Sequence, residues 1–181
     1  MRHSIGIDPD SKDMAIAVWN DDGPVTAQAI HVVRKRTTEQ SQVVMARKVN
    51  DAIPSPSYAK LDISTIAIEG QQKDKRSVPL KSLFTLAHTT GIIALWCVAW
   101  FPDSRIVIPT PYEWKKQTPK VVHQSRLYRD LGWGFEVAGQ KNAGQYARPL
   151  AVPAAFKHIT PGQWKHIGDA ILLAKYAHEK A

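Results

Sequence analysis

The stretch His3-Ser4-Ile5-Gly6-Ile7-Asp8-Pro9-Asp10-Ser11 decides the fold. Ile5 and Ile7 alternate with Ser4 and Gly6, the period-two pattern of a short strand. The strand must stop at Pro9, which has no N–H for a central ladder and restrains the residue before it. Asp8 therefore ends a core strand, at the edge where open α/β sheets place their ligand sites. Taken alone, Asp8 is more simply read as the start of a tight turn, since Asp-Pro and Asp-Ser are ordinary turn chemistry. The neighbouring elements reverse that reading.

Residues 9–13 form a turn, and in 14–19 the even positions Met14, Ile16 and Val18 are large and apolar. Asn20-Asp21-Asp22-Gly23-Pro24 is a second turn, and 25–33 reads as a third strand. Such short links predict an antiparallel meander of hairpins. Residues 37–53 look helical, with Val43, Val44, Ala46 and Val49 loosely periodic, and Pro54-Ser55-Pro56 ends them. The strand at 61–69 carries Ile63, Ile66 and Ile68 and ends in Glu69-Gly70. Reached through a helix, it should run parallel to the first strand. Asp8 and Glu69 then share one edge on adjacent strands. Two acids ending two core strands are harder to dismiss as turn chemistry than one.

A polar, basic loop or helix start at 71–77 leads to an apolar helix at 79–100, with Leu83, Leu86, Ala87, Thr90, Gly91, Ala94 and Leu95 at helical spacing. Gly91 costs that helix about 1 kcal/mol relative to Ala, which predicts close approach of another backbone, from the sheet or a partner subunit. Trp96 and Trp100 are expected in the core, and Cys97 among Leu95, Trp96, Val98 and Ala99 as a buried, inert thiol. Residues 105–108 form a last short strand closed by Pro109.

Thr110-Pro111, Thr118-Pro119 and Thr160-Pro161 each read as an N-cap followed by proline at the first helical position. Glu113 and Gln163 complete capping boxes at the first and third. The middle helix runs to about 131, where Gly132 ends it. Residues 132–160 are rich in Gly, Pro and Ala without periodicity, and read as a functional loop, insertion or arm rather than core. In the last helix, 161–179, His166 and Asp169 share one face with Ala170, Leu173 and Ala177. An acid on a core-facing helix is costly unless it is paired or coordinates a cation. The plainer alternative is a local His166–Asp169 hydrogen bond, or exposure near the helix start.

The 181 residues suit a single domain with a full core. Apolar residues at 44% and charged residues at 22% exclude a disordered chain. With 24 Lys and Arg against 16 Asp and Glu, the net charge of +8 suits a polyanionic partner, nucleic acid first and an anionic membrane second. One cysteine excludes an intramolecular disulfide and a cysteine-rich zinc site. No signal peptide or lipidation motif is expected at the start. The longest apolar run, 91–101, is short of the ~20 residues that span a bilayer. The expectation is a cytoplasmic protein, of a bacterium or a virus-infected host cell.

Asp8, Glu69 and Asp169 converging from two strand ends and one helix would make a hard, oxygen-rich site for Mg²⁺ or Mn²⁺. Two such ions ~3.5–4 Å apart activate a water and stabilise the leaving oxygen in phosphodiester hydrolysis. His166 would ligate a metal or move protons. No serine, cysteine or zinc-type cluster competes for a catalytic role.

Gly6-Ile7-Asp8-Pro9-Asp10, Ile66-Ala67-Ile68-Glu69 and His166-Ile167-Gly168-Asp169, in that order on βββαβα-type elements, resemble the RuvC-type Holliday junction resolvases of the RNase H-like superfamily. The resemblance covers residues 3–131 and 160–178. It implies an α/β, RNase H-like fold: a mixed five-stranded sheet, its first three strands antiparallel and its fourth and fifth parallel, flanked by helices. It also implies a homodimeric, Mg²⁺-dependent endonuclease that cuts two opposed strands of a four-way DNA junction. Asp8, Glu69 and Asp169 would be its metal-binding catalytic acids, and His166 the fourth site residue, which is His or Asp in the family. Three departures fit a viral or otherwise divergent branch. Asp10 stands where the family has Gly, no aromatic wedge occurs in 70–76, and 132–160 is longer than the family's segment.

Two basic sets are expected DNA contacts. Lys73, Lys75 and Arg76 follow the second acid. Lys115, Lys116 and Lys120 flank the Thr118-Pro119 helix start, whose free N–H groups could also hold a phosphate. The plain alternative is a solvated charged face, and Arg126 and Arg129 are weaker candidates. A nuclease of the same fold acting on flaps or hybrids, and a non-catalytic nucleic-acid-binding module, are the competing functions. An actin-like ATPase shares the opening strand and Asp, but it normally needs glycine-rich phosphate loops and a second large domain, neither of which fits this chain. Neither a small-molecule cofactor nor a membrane contact is expected.

Overall fold

The computed structural model describes residues 1–9, 13–31, 48, 58, 60–70, 80–140 and 144–181. Strands β1 (His3–Asp8), β2 (Asp13–Asn20), β3 (Gly23–His31), β4 (Ile63–Ile68) and β5 (Arg105–Val107) form one sheet in the order β3-β2-β1-β4-β5. β1–β2 and β2–β3 are antiparallel, while β1–β4 and β4–β5 are parallel, as the crossover rule predicts. Helices α1 (Leu80–Trp100), α2 (Pro111–Lys115), α3 (Lys120–Asp130) and α4 (Trp164–Glu179) accompany it. A separate hairpin pairs β6 (Phe135–Ala138) with β7 (Tyr146–Pro149). The turn at 10–12 and the loop at 71–77 lie outside the described residues, as does the expected helix at 37–53 apart from Lys48, which is helical.

Alternation gives the sheet two unlike faces. Ile5, Ile7, Met14, Ile16, Val18, Ile66 and Ile68 form one, packed with Ile93 and Cys97 of α1. The other is made of small residues, with Gly6, Ala15, Ala17 and Ala67 beneath Ala170, Ile171, Leu173 and Ala174 of α4. A Cβ on Gly6 would lie 2.2 Å from both the Ala170 carbonyl oxygen and the Ala174 nitrogen. No side chain fits between β1 and α4 at this position. This contact holds the last helix directly over the first strand.

Four sequence expectations need correction. Gly91 is exposed, and a Cβ there would meet nothing within 4 Å, so the sheet is not the reason for it. Trp100 is 47% exposed and Trp96 only half-buried, because α1 is apolar all round but offers the sheet a single stripe. Thr118 does not cap α3. Pro119 takes the N-cap position, and its carbonyl accepts the N–H groups of Val122 and His123. The other two Thr-Pro starts hold, with the Thr110 N–H donating to Glu113 Oε2 at 2.6 Å and the Thr160 N–H to Gln163 Oε1 at 2.8 Å. Finally, residues 132–160 do enter the core. Trp133, Ala147, Phe156 and Ile159 are buried with Tyr128 of α3 and Trp164 of α4. The Trp133 ring stacks on Tyr128 at 6.0 Å and meets Phe156 at 5.1 Å. Strands of four residues and a few dispersed aromatics carry too little periodicity to show this in sequence. Among the described residues, no helix is long and apolar enough to cross a membrane.

Candidate active site

Strand parity places the acids. Asp8 is two residues beyond Gly6 and so faces α4. Glu69 lies one residue past β4, but its N–H donates to the Ile7 carbonyl at 2.9 Å, which extends the ladder and puts Glu69 on the side of Ala67. α4 supplies His166 and Asp169 from successive turns of its buried face. The His166 Nδ1–H donates to Asp8 Oδ2 at 3.0 Å. His166 thus pairs with Asp8 across the sheet–helix interface, in addition to sharing a helix face with Asp169. Asp8, His166 and Asp169 are all buried.

Two lysines reach into the acids. Lys115, at the end of α2, lies 3.2 Å from Glu69 Oε1 and 3.8 Å from Asp169 Oδ2. Lys120 is 2.8 Å from Asp169 Oδ2. Trp114 steadies the first of these: it stacks on His123 at 5.5 Å, and the Lys115 ammonium sits 4.8 Å over its ring. Lys116 is exposed and, among the described residues, is the non-glycine residue with a positive φ, at 53°. Of the second basic set, then, two members turn into the acids and one faces out. Lys73, Lys75 and Arg76 lie outside the described residues, as does Asp10. Arg126 and Arg129 are exposed on α3.

The surroundings drive two neighbouring carboxyls apart. Burial alone would push Asp8 up, but the His166 hydrogen bond and the charges of Lys120 and Lys115 outweigh it and hold Asp8 below the usual value. Glu69 is raised to about 7, first by burial and then by the charge of Asp8, against the opposing pull of Lys115. Burial works against the Lys120 ammonium, yet Asp169, Asp8 and Glu69 together raise its pKa. Carboxyls held at such different values are a recurring feature of acid–base sites.

Among the described residues, no group of three or more His, Cys, Asp and Glu side chains is arranged to hold a metal ion as it stands. Ammonium groups already bridge the acids, with Lys115 between Glu69 and Asp169. The donor set of three carboxylates and one imidazole nevertheless fits a hard divalent cation chemically. Lys115 marks a position between carboxylates where positive charge is held.

The same architecture occurs in solved structures. Thermus thermophilus RuvC in complex with a Holliday junction substrate matches with a TM-score of 0.59 at 12% identity, over 96% of this chain and 90% of that one. A further Thermus thermophilus RuvC structure matches at 0.57 and 13% identity, over 95% and 90%. The chain has the RuvC fold. No protein-family model matches the sequence, and no curated protein does either. The likeness to RuvC therefore lies in the arrangement of the elements.

One site residue escaped the sequence reading. Gln124 of α3 is fully buried and donates from Nε2 to Asp169 Oδ1 at 2.8 Å. A signal was present: Lys120, Gln124, Leu127 and Tyr128 share one helical face, so Gln124 had to be buried with Leu127 and Tyr128.

Proposed function

We propose that this chain is a divalent-metal-dependent, structure-specific DNA endonuclease that resolves four-way junctions by paired phosphodiester hydrolysis, in recombination or repair within a bacterial or virus-infected cell. The observation that carries this reading is the meeting of Asp8, Glu69, His166 and Asp169 on one face of a RuvC-type sheet. Asp8, Glu69 and Asp169 would hold Mg²⁺ or Mn²⁺, two ions in all. Such ions supply an activated water and stabilise the leaving oxygen. His166, which bonds Asp8 through Nδ1, would ligate a metal or move protons. Lys115, Lys116 and Lys120 supply positive charge for phosphate oxygens. Lys73, Lys75 and Arg76 would extend that surface.

Cutting two opposed strands requires two such sites, and hence a homodimer. The face of α1 supports one. Phe84, His88, Gly91, Leu95 and Val98 are exposed at alternating spacings of four and three. No Asp, Glu, Lys or Arg occurs between Lys81 and Asp103, so two copies could meet there without like-charge repulsion. One observation favours the second reading, a binding module without catalysis: Lys115 and Lys120 already pair with the acids.

Cleavage of end-labelled four-way junction, flap, linear duplex and RNA–DNA hybrid, with Mg²⁺ or chelator, separates these readings. Paired symmetric nicks in the junction, absent with chelator and in Asp8→Asn, are expected. Asp8→Asn should still bind the junction, because affinity rests on basic residues. Equal cutting of flaps or hybrids would keep the site and change the role. Tight binding without cutting would leave the binding module.

A further inference from the structure

The Gln124 side chain is held at both ends. Its Oε1 accepts the Ala147 N–H of β7 at 3.1 Å, while Nε2 donates to Asp169 Oδ1 at 2.8 Å and lies 3.3 Å from the Lys165 carbonyl. An amide whose oxygen is committed to a backbone N–H can turn only its nitrogen toward the carboxylate. The orientation is therefore fixed by the hairpin and not by Asp169 itself. α4 makes room for it at Gly168, where a Cβ would lie 2.7 Å from Gln124 Nε2 and 2.5 Å from Tyr128 Oη. Gln124 and Tyr128, one turn apart on α3, fill the space that the glycine leaves.

We propose that Gln124 is a positioning residue: the β6–β7 hairpin, through the Gln124 amide, sets the orientation of the Asp169 carboxylate for a divalent cation. This rests on the metal-dependent reading above. It gives the β6–β7 hairpin a task at the site. Oδ1 of Asp169 is held by the neutral amide and Oδ2 by Lys120 and Lys115. With a cation in place of the ammonium groups, the hydrogen bond from the Gln124 amide would still constrain Asp169 Oδ1. Partners of this kind, which hold a ligating carboxylate from behind, typically change metal affinity by roughly 10- to 100-fold when removed.

The experiment is a Mn²⁺ titration of the full chain, following the EPR signal of the free ion, for wild type and Gln124→Met. Methionine keeps the length of the side chain and removes all three of its hydrogen bonds. We expect Mn²⁺ to bind the variant roughly 10- to 100-fold more weakly, with thermal unfolding in chelator still cooperative. Equal affinity in the two proteins overturns the positioning role and leaves the metal site standing. If the wild type binds no Mn²⁺, the metal-dependent reading falls and the positioning role falls with it. Should Gln124→Met fail to fold, the wild type alone decides by NMR. The Gln124 side-chain NH₂ signal is expected to move with Mg²⁺ saturation, and a signal that stays fixed overturns the proposal.

Discussion

Removing the charge of Glu69 should stabilise the metal-free protein while abolishing cleavage. The Glu69 side chain is only 16% exposed and its carboxyl is raised from 4.5 to about 7. Between those two values the folded chain binds more protons at this position than the unfolded chain does. Stability therefore falls as pH rises through that window. At 1.36 kcal/mol per unit, the ionised carboxylate costs on the order of 3 kcal/mol at pH 8. Glu69→Gln removes this cost and keeps the shape of the side chain. For a chain of this length, the gain corresponds to a rise in Tm of roughly 6–12 °C. The assay is thermal unfolding of both proteins in chelator at pH 4 and pH 8. The two curves should nearly coincide at pH 4, where the wild-type carboxyl is mostly protonated in both states, and separate at pH 8. With Mn²⁺ present the gap should shrink or reverse, because only the wild type keeps the full ligand set. A variant that is no more stable at pH 8 in chelator, or equally more stable at both pH values, would refute the reasoning.

Two further substitutions probe the scaffold. Gly6→Ala places a methyl group 2.2 Å from two backbone atoms of α4. It should cost about 3 kcal/mol or more, since a helix backbone cannot yield as a side chain can. Denaturant titration of the variant checks this, and a loss under 1 kcal/mol would mean that α4 does not rest on β1 at this point. Gly91→Ala meets nothing within 4 Å, so the isolated chain should gain about 1 kcal/mol of helix stability. If two copies join through this face of α1, the same change should weaken self-association in sedimentation experiments at graded concentrations. An unchanged monomer–dimer equilibrium would place the dimer contact elsewhere.

Sequence alone determined the parts set by local periodicity and chain connectivity. Pro9 and Gly70 bound the strand ends, so Asp8 and Glu69 could be placed at one sheet edge without a structure. The helix expected at 37–53 implied that those strands run parallel, as β1 and β4 do, and the spacing of His166 and Asp169 put both on one face of the last helix. Tertiary structure decided the pairings made between elements far apart in the chain. His166 bonds to Asp8, 158 residues away, because Gly6 lets α4 lie directly on β1. Lys115 and Lys120 enter the acid cluster while Lys116 turns outward, a choice made by backbone conformation after α2. Residues 132–160 join the core through Trp133 and Phe156 and reach Asp169 through Gln124. Short strands and single buried polar residues leave no period to read; their partners are fixed only when helix, sheet and hairpin close around the same volume.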